Sequence, residues 1–170
     1  MKGLMNFNLL ISTLDELKLA KLNSEGKSIE VSFELNEPAN IADIMNVEKE
    51  LGIKLPDSYK EFLKNYNGAR LFDYDGLDGF IILGTKDILK VNNFAKATFD
   101  EDWLESIIIF AKYIGESNYL GFDSSKIQSE CAVIDCFFEE LPENWIQIAI
   151  NFDNFLERIV EHQGKKFWLS

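Results

Sequence analysis

Asp73, Asp75 and Asp78, in the run Asp73-Tyr74-Asp75-Gly76-Leu77-Asp78-Gly79, come closest of any residues in the chain to a metal-site spacing. Spaced aspartates in a glycine-containing turn are the chemistry of a calcium loop, where hard oxygen ligands converge on one ion. The register fails, because Leu77 has no ligand oxygen and Ile82, Leu83 and Gly84 fill the region where a closing carboxylate belongs. The same run reads as a solvated turn that displays carboxylates.

Two adjacent carboxylate pairs follow, Glu101 with Asp102 and Glu139 with Glu140. Acid–base work requires one member of such a pair to be desolvated and raised in pKa. Both pairs lie in polar loop sequence beside Trp103, Phe137 and Phe138, a pattern suited to a binding edge with aromatic anchors. His162 is the single histidine and falls near the end of the last helix, where the dipole favours it. One histidine without a cysteine cluster does not make a zinc site. Cys131 and Cys136 lie in apolar strand sequence, where no lowered thiol pKa is expected. No nucleophile elbow, phosphate loop or dinucleotide fingerprint occurs. No catalytic, cofactor-binding or metal residue is therefore assigned, no cofactor is expected, and the chain is not expected to be an enzyme. The candidate partner-binding residues are Asp73, Tyr74, Asp75, Asp78, Glu101, Asp102, Trp103, Glu139 and Glu140.

These loops must hang on a scaffold, and its most organised stretch is Ile41 to Arg70. Asn40 is placed to cap a helix whose Ile41, Ile44, Val47 and Leu51 make one apolar stripe. Gly52 suits a left-handed helix end. Pro56 suits a second helix start, with Ser58 and Glu61 spaced as a capping box. Tyr59, Phe62, Leu63 and Tyr66 then form a buried face, and Asn67-Gly68 ends the helix.

Before this stretch, Met5 to Leu22 reads as an amphipathic helix rather than a targeting segment, and Ile29 to Leu35 alternates as a half-buried strand. After it, Leu71 to Gly79 reads as a loop and Phe80 to Leu83 as a central strand. Thr85 is placed to cap a short helix through Val91, with mixed helix and loop up to Asp102. Ile107 to Tyr113, Tyr119 to Phe122, Cys131 to Phe138 and Trp145 to Ile150 read as strands. Phe152, Phe155, Leu156, Ile159 and Val160 make the core stripe of a last helix. This order predicts an α+β fold with a mostly antiparallel sheet of about five or six strands and flanking helices. Residues 1–38 are expected to form a helix-and-strand extension packed on a single domain spanning 39–170.

The net charge is −12, and residues 99–161 alone carry 14 acidic against 3 basic side chains. That balance excludes nucleic acid and anionic membrane as partners, since both require basic footprints. It permits electrostatic steering of a basic protein, and the same acidity equally serves solubility. No run of about 18 apolar residues suggests a membrane span. An intra-strand disulfide is not expected between two cysteines five apart, and a cytoplasmic location fits.

The run Glu48-x-x-Leu51-Gly52-Ile53-x-Leu55-Pro56-x-Ser58-Tyr59-x-x-Phe62-Leu63-x-x-Tyr66-Asn67-Gly68 resembles the signature of the SUKH superfamily, in its Smi/Knr cell-wall-regulator branch. The strands of GFIILG, NYLGFD and CAVID and the final NFDNFLERI helix resemble their SUKH counterparts, so the resemblance covers roughly Ala39 to Val160. SUKH proteins occur as immunity proteins in bacterial polymorphic toxin systems. The resemblance implies a binding module that blocks a cognate toxin, and the acidic surface suits a basic target such as a nuclease domain. The alternative it implies is a cytoplasmic signalling or scaffold protein of the cell-wall-regulator type. The matched residues Leu55, Pro56, Tyr59, Asn67 and Gly68 read as structural.

Overall fold

The computed structural model describes residues 21–22, 25–125 and 130–169. Two short strands, β1 (Lys21–Leu22) and β2 (Ser28–Ile29), pair as an antiparallel ribbon. Of the expected helix over Met5 to Leu22, Lys21–Leu22 is strand, and the rest lies outside the described residues. The single strand expected from Ile29 to Leu35 is divided between β2 and β3 (Ser32–Leu35).

The helical corner forms as its spacing dictates. Helix α1 (Ile41–Leu51) begins where Asn40 Oδ1 accepts the Ala42 N–H at 3.0 Å and ends at Gly52, with φ of 69°. Ile44, Val47 and Leu51 are buried, but Ile41, in the first turn, remains exposed. Glu48 reaches past the corner to accept the Leu55 N–H at 2.8 Å, with Lys60 3.5 Å away. Helix α2 (Asp57–Asn65) does not use the expected capping box. Instead Glu130, 72 residues further on, accepts both the Ser58 N–H at 3.0 Å and the Ser58 hydroxyl at 2.7 Å. A carboxylate delivered by the fold meets the free N–H groups and the positive end of the helix dipole together.

Seven strands make the main sheet in chain order, each antiparallel to the next: β3, β4 (Ala69–Tyr74), β5 (Asp78–Ile82), β6 (Ile107–Tyr113), β7 (Tyr119–Asp123), β8 (Ala132–Cys136) and β9 (Ile146–Ala149). The sheet exceeds the expected strand count because the segment read as a loop, Leu71 to Gly79, is a hairpin. Leu71 and Phe72 are buried on it, and only Asp75 to Leu77 turn. Its aspartates lower strand propensity, but pairing Leu71 with Phe80 overrides that.

Helix α3 (Thr85–Phe99) is also longer than the short helix expected. Asn92, a weak helix former, is held by tertiary bonds: its amide accepts the Ile109 N–H at 2.8 Å and donates to Ile109 O at 2.9 Å. It thereby substitutes for a strand neighbour. Thr85 does not cap this helix with its own side chain; Asn67 Oδ1 accepts the Thr85 N–H at 2.7 Å. Next to it Gly68, with φ of 91°, has Ile82 O and Gly84 N at 2.8 and 2.9 Å from any added Cβ. The Asn-Gly pair thus locks the corner onto the sheet and α3, which explains both residue types.

Helix α4 (Phe152–Glu161) starts at Asn151, whose Oδ1 accepts the Asn154 N–H at 2.8 Å. Its Phe152 and Phe155 meet Phe110 at 5.6 and 5.9 Å between ring centres. Phe110 stacks on Phe122 at 4.0 Å, and Tyr59 of α2 closes the same cluster. The Tyr59 hydroxyl donates to Leu83 O, so this buried phenol is satisfied. No helix among the described residues is long and apolar enough to cross a membrane.

Candidate functional site

Asp73, Tyr74, Asp75 and Asp78 lie around the tip of the β4–β5 hairpin. Asp73 is used by the turn itself, accepting the Gly76 N–H at 2.8 Å and the Arg70 Nε–H at 3.0 Å. Asp78 Oδ1 accepts the Gly79 N–H at 2.8 Å, and Asp75 is exposed. No group of three or more metal-ligating side chains converges here or elsewhere among the described residues.

Glu101 and Asp102 are exposed on a 3-10 turn, Asp100–Asp102. Trp103 is 8% exposed and presents little surface. It joins Phe99, Phe138 and Trp145 in an aromatic cluster, with Trp145 at 6.2 Å from Trp103 and stacked on Phe138 at 5.8 Å. The Trp145 indole donates to Phe137 O at 2.9 Å and Glu140 O at 3.2 Å. The Glu101–Trp103 turn and the Glu139–Glu140 turn are therefore both joined to one aromatic cluster, the first through Trp103 and the second through the Trp145 indole.

The β4–β5 hairpin arrives at the same end of the sheet by another route. Its tip packs on the β6–β7 turn so closely that a Cβ on Gly115 would lie 2.3 Å from Leu77 O. The next residue, Glu116, and then Asn118 form one wall of a groove of about 440 Å³. Phe137, Glu140, Asn144, Trp145 and Ile146 form the facing wall, and Lys166 and Leu169 of the C-terminal tail complete it.

The floor of this groove is Asp135 with Tyr113. Asp135 follows Val133 by two residues on β8, and Val133 pairs with Phe122, so Asp135 shares the sheet face on which α4 packs. Beyond the end of α4 that face is covered by the tail. The Tyr113 hydroxyl donates to Asp135 Oδ1 at 2.9 Å and the Trp168 indole donates to Oδ2 at 3.0 Å. Burial raises the Asp135 carboxyl above its ordinary value, against the pull of those two bonds. Burial, then the Asp135 charge, raises the Tyr113 phenol. Lys166 pairs with Glu116 and sits 4.2 Å over the Tyr113 ring.

Asp135, Tyr113, Ile146, Lys166 and Leu169 were not among the residues singled out by sequence. One signal was available: Asp135 is the only charged residue in the apolar run from Cys131 to Phe138. A lone carboxylate in a buried strand demands partners.

The remaining chemistry-bearing residues have structural surroundings. His162 Nδ1–H donates to Arg158 O at 2.8 Å, and its ring lies 5.4 Å from Phe167. Cys131 and Cys136 are free and buried. Burial, helped by Glu130 and Asp123, pushes the Cys131 thiol up to about 11, and burial raises Cys136 as well. Neither has the thiolate character of a nucleophile.

The description SMI1 / KNR4 family (SUKH-1) matches residues 38–158, which contain the helical corner, six of the seven main strands and most of α4. The chain belongs to this family. Relatives extend the match over most of the chain. This SUKH-1 protein is 31% identical to the uncharacterized Bacillus subtilis (strain 168) protein YobM over 166 residues, covering 95% of this chain and 88% of YobM. It is 26% identical to the uncharacterized protein YnaB of the same organism over 141 residues, 82% of this chain and 88% of YnaB. It is also 26% identical to the immunity protein RhsIB of Dickeya dadantii (strain 3937) over 162 residues, 89% of this chain and 95% of RhsIB.

Proposed function

We propose that this SUKH-1 protein is a cytoplasmic immunity protein, a non-catalytic module that binds a cognate toxin and neutralises it. The observation that carries the reading is the near full-length relationship to RhsIB, a protein named for immunity. The acidic end of the sheet supports it. The hairpin at 73–78, the Glu101–Asp102 turn and the Glu139–Glu140 turn each present exposed carboxylates, a chemistry matched to a basic protein. A basic nuclease domain is the toxin class that fits best, because clustered carboxylates imitate the phosphates such a domain binds. Covering its active site would suffice for neutralisation, with no bond made or broken by this chain.

Co-expression of the chain with each effector domain encoded beside its gene tests the reading. Growth restored by this chain, and not by an unrelated acidic protein, is the expected result. Undiminished toxicity with every neighbouring effector would remove the immunity reading.

A further inference from the structure

The groove over Asp135 has a composition that selects one kind of occupant. Its walls are aromatic and aliphatic, and Phe137, Ile146 and Leu169 on its rim are 40, 54 and 67% exposed. Among its described lining residues, the carboxylates Glu116, Asp135 and Glu140 face the single ammonium of Lys166. That ammonium is already held by Glu116 and the Tyr113 ring. Glu139 and Glu143, both exposed, extend the negative field outward. A second copy of the chain would bring the same carboxylates into contact, and like charges across an interface are repelled. Strand addition along β9 is obstructed, since Arg158 Nη1–H already donates to Ile148 O at 3.0 Å.

A cation with a flat, weakly hydrated head meets all of these walls at once. A guanidinium stacks on aromatic faces and donates hydrogen bonds to carboxylates at its edge, whereas an ammonium holds its water more strongly. We propose that this groove receives an arginine side chain, flanked by an apolar residue, from the basic face of the toxin; the proposal rests on the immunity reading above. Trp145 and Ile146 flank the guanidinium, Glu140 pairs with it, and the exposed Leu169 and Phe137 cover the neighbouring apolar residue. The Asp135–Tyr113–Trp168 bonds hold the floor rigid so that little ordering is required on binding.

Two probes separate the groove from the function. The first is any effector domain encoded beside the gene that is toxic when expressed alone, titrated against the full chain and against the double variant Glu140→Lys/Ile146→Lys, both positions being exposed. The variant should melt like the parent and lose about 30-fold or more in affinity, the size of an interface hot spot. The second is acetyl-leucyl-arginine amide, with the neutral citrulline analogue as control, followed by nuclear magnetic resonance. The arginine peptide should shift the Trp145 indole and Ile146 amide signals of the parent, and neither the citrulline peptide nor the variant should reproduce this. A variant that holds the toxin within about 3-fold of the parent overturns the groove proposal. Peptide shifts without any toxin binding would leave the groove as a basic-peptide site and remove the immunity reading. Silence to both probes removes both.

Discussion

The Trp168 indole donates to Asp135 Oδ2 at 3.0 Å, which ties the Phe167–Leu169 turn to the C-terminal end of β8. Trp168 also packs on Phe80 and Tyr113, so the tail covers a sheet face that α4 leaves open. Trp168→Phe keeps most of the packing and removes the donor. A hydrogen bond to a charged acceptor is worth about 1.5–3 kcal/mol. The variant should lose that much stability in urea unfolding, and its tail should be cut faster by carboxypeptidase. Parent-like behaviour in both measurements would mean that the bond does not hold the tail.

Asn92 makes a similar claim on β6. Its amide satisfies both the N–H and the C=O of Ile109, deep in the structure. Asn92→Leu leaves two buried backbone groups without partners, each at about 1–3 kcal/mol. A loss of about 2–4 kcal/mol in denaturant unfolding is expected, large for one substitution. A loss below about 0.5 kcal/mol would mean that the bond pair is not a fold determinant.

These two residues also mark how far the sequence could be read. The helical corner was legible almost residue by residue, because Asn40, Gly52 and Pro56 act through local rules and the apolar spacing is regular. The strands around Phe110, Phe122 and Val133 were legible as apolar runs. What failed was whatever depended on a distant partner. Glu130 displaced the local cap at Ser58, Asn67 capped α3 from another element, and Asn92 extended a helix that composition alone would break. The groove over Asp135 was illegible for the same reason. Its walls come from the β6–β7 turn, the β8–β9 connection and the tail, which no window of sequence brings together.

Asp153 provides a pH signature. Burial, followed by the charges of Glu130 and Glu157, pushes its carboxyl up to about 6, despite its place in the favourable first turn of α4. Its Oδ1 is buried without a hydrogen-bond partner. An acid raised in the folded state binds its proton there before it does in the unfolded chain. Between the ordinary carboxyl value and about 6, its contribution to stability therefore falls as pH rises. Above that window the ionised group is a constant cost. Asp153→Asn should raise the melting temperature at pH 7.5 and lose that advantage at about pH 4. A parent-minus-variant difference that does not change with pH would refute the assignment.

The two thiols should be chemically silent in the native state. Both are buried, with Cys131 at about 11 and Cys136 raised, so little thiolate exists at neutral pH. A disulfide-exchange reagent at pH 7.5 should label neither until denaturant unfolds the chain. Fast stoichiometric labelling of the folded protein would contradict this burial.

The exposed carboxylates of the β8–β9 connection should act on the rate of encounter. Glu139→Lys/Glu140→Lys reverses two charges on the rim while leaving the core untouched. Steering by rim charges changes association rates and their salt dependence. Stopped-flow association with a basic toxin domain should slow by about 10-fold at low salt and become less sensitive to added salt. An unchanged rate at low salt would remove this turn from the encounter surface.

Titration of purified components decides most directly whether this protein neutralises a toxin by binding it. Each effector domain encoded beside the gene that is toxic when expressed alone is titrated with this protein, while heat and toxin activity are recorded together. A 1:1 complex with a dissociation constant of about 10⁻⁹ M or tighter, and activity that falls to zero at equivalence, is the predicted result. A titration without heat, in which the toxin stays fully active at excess protein, would contradict it.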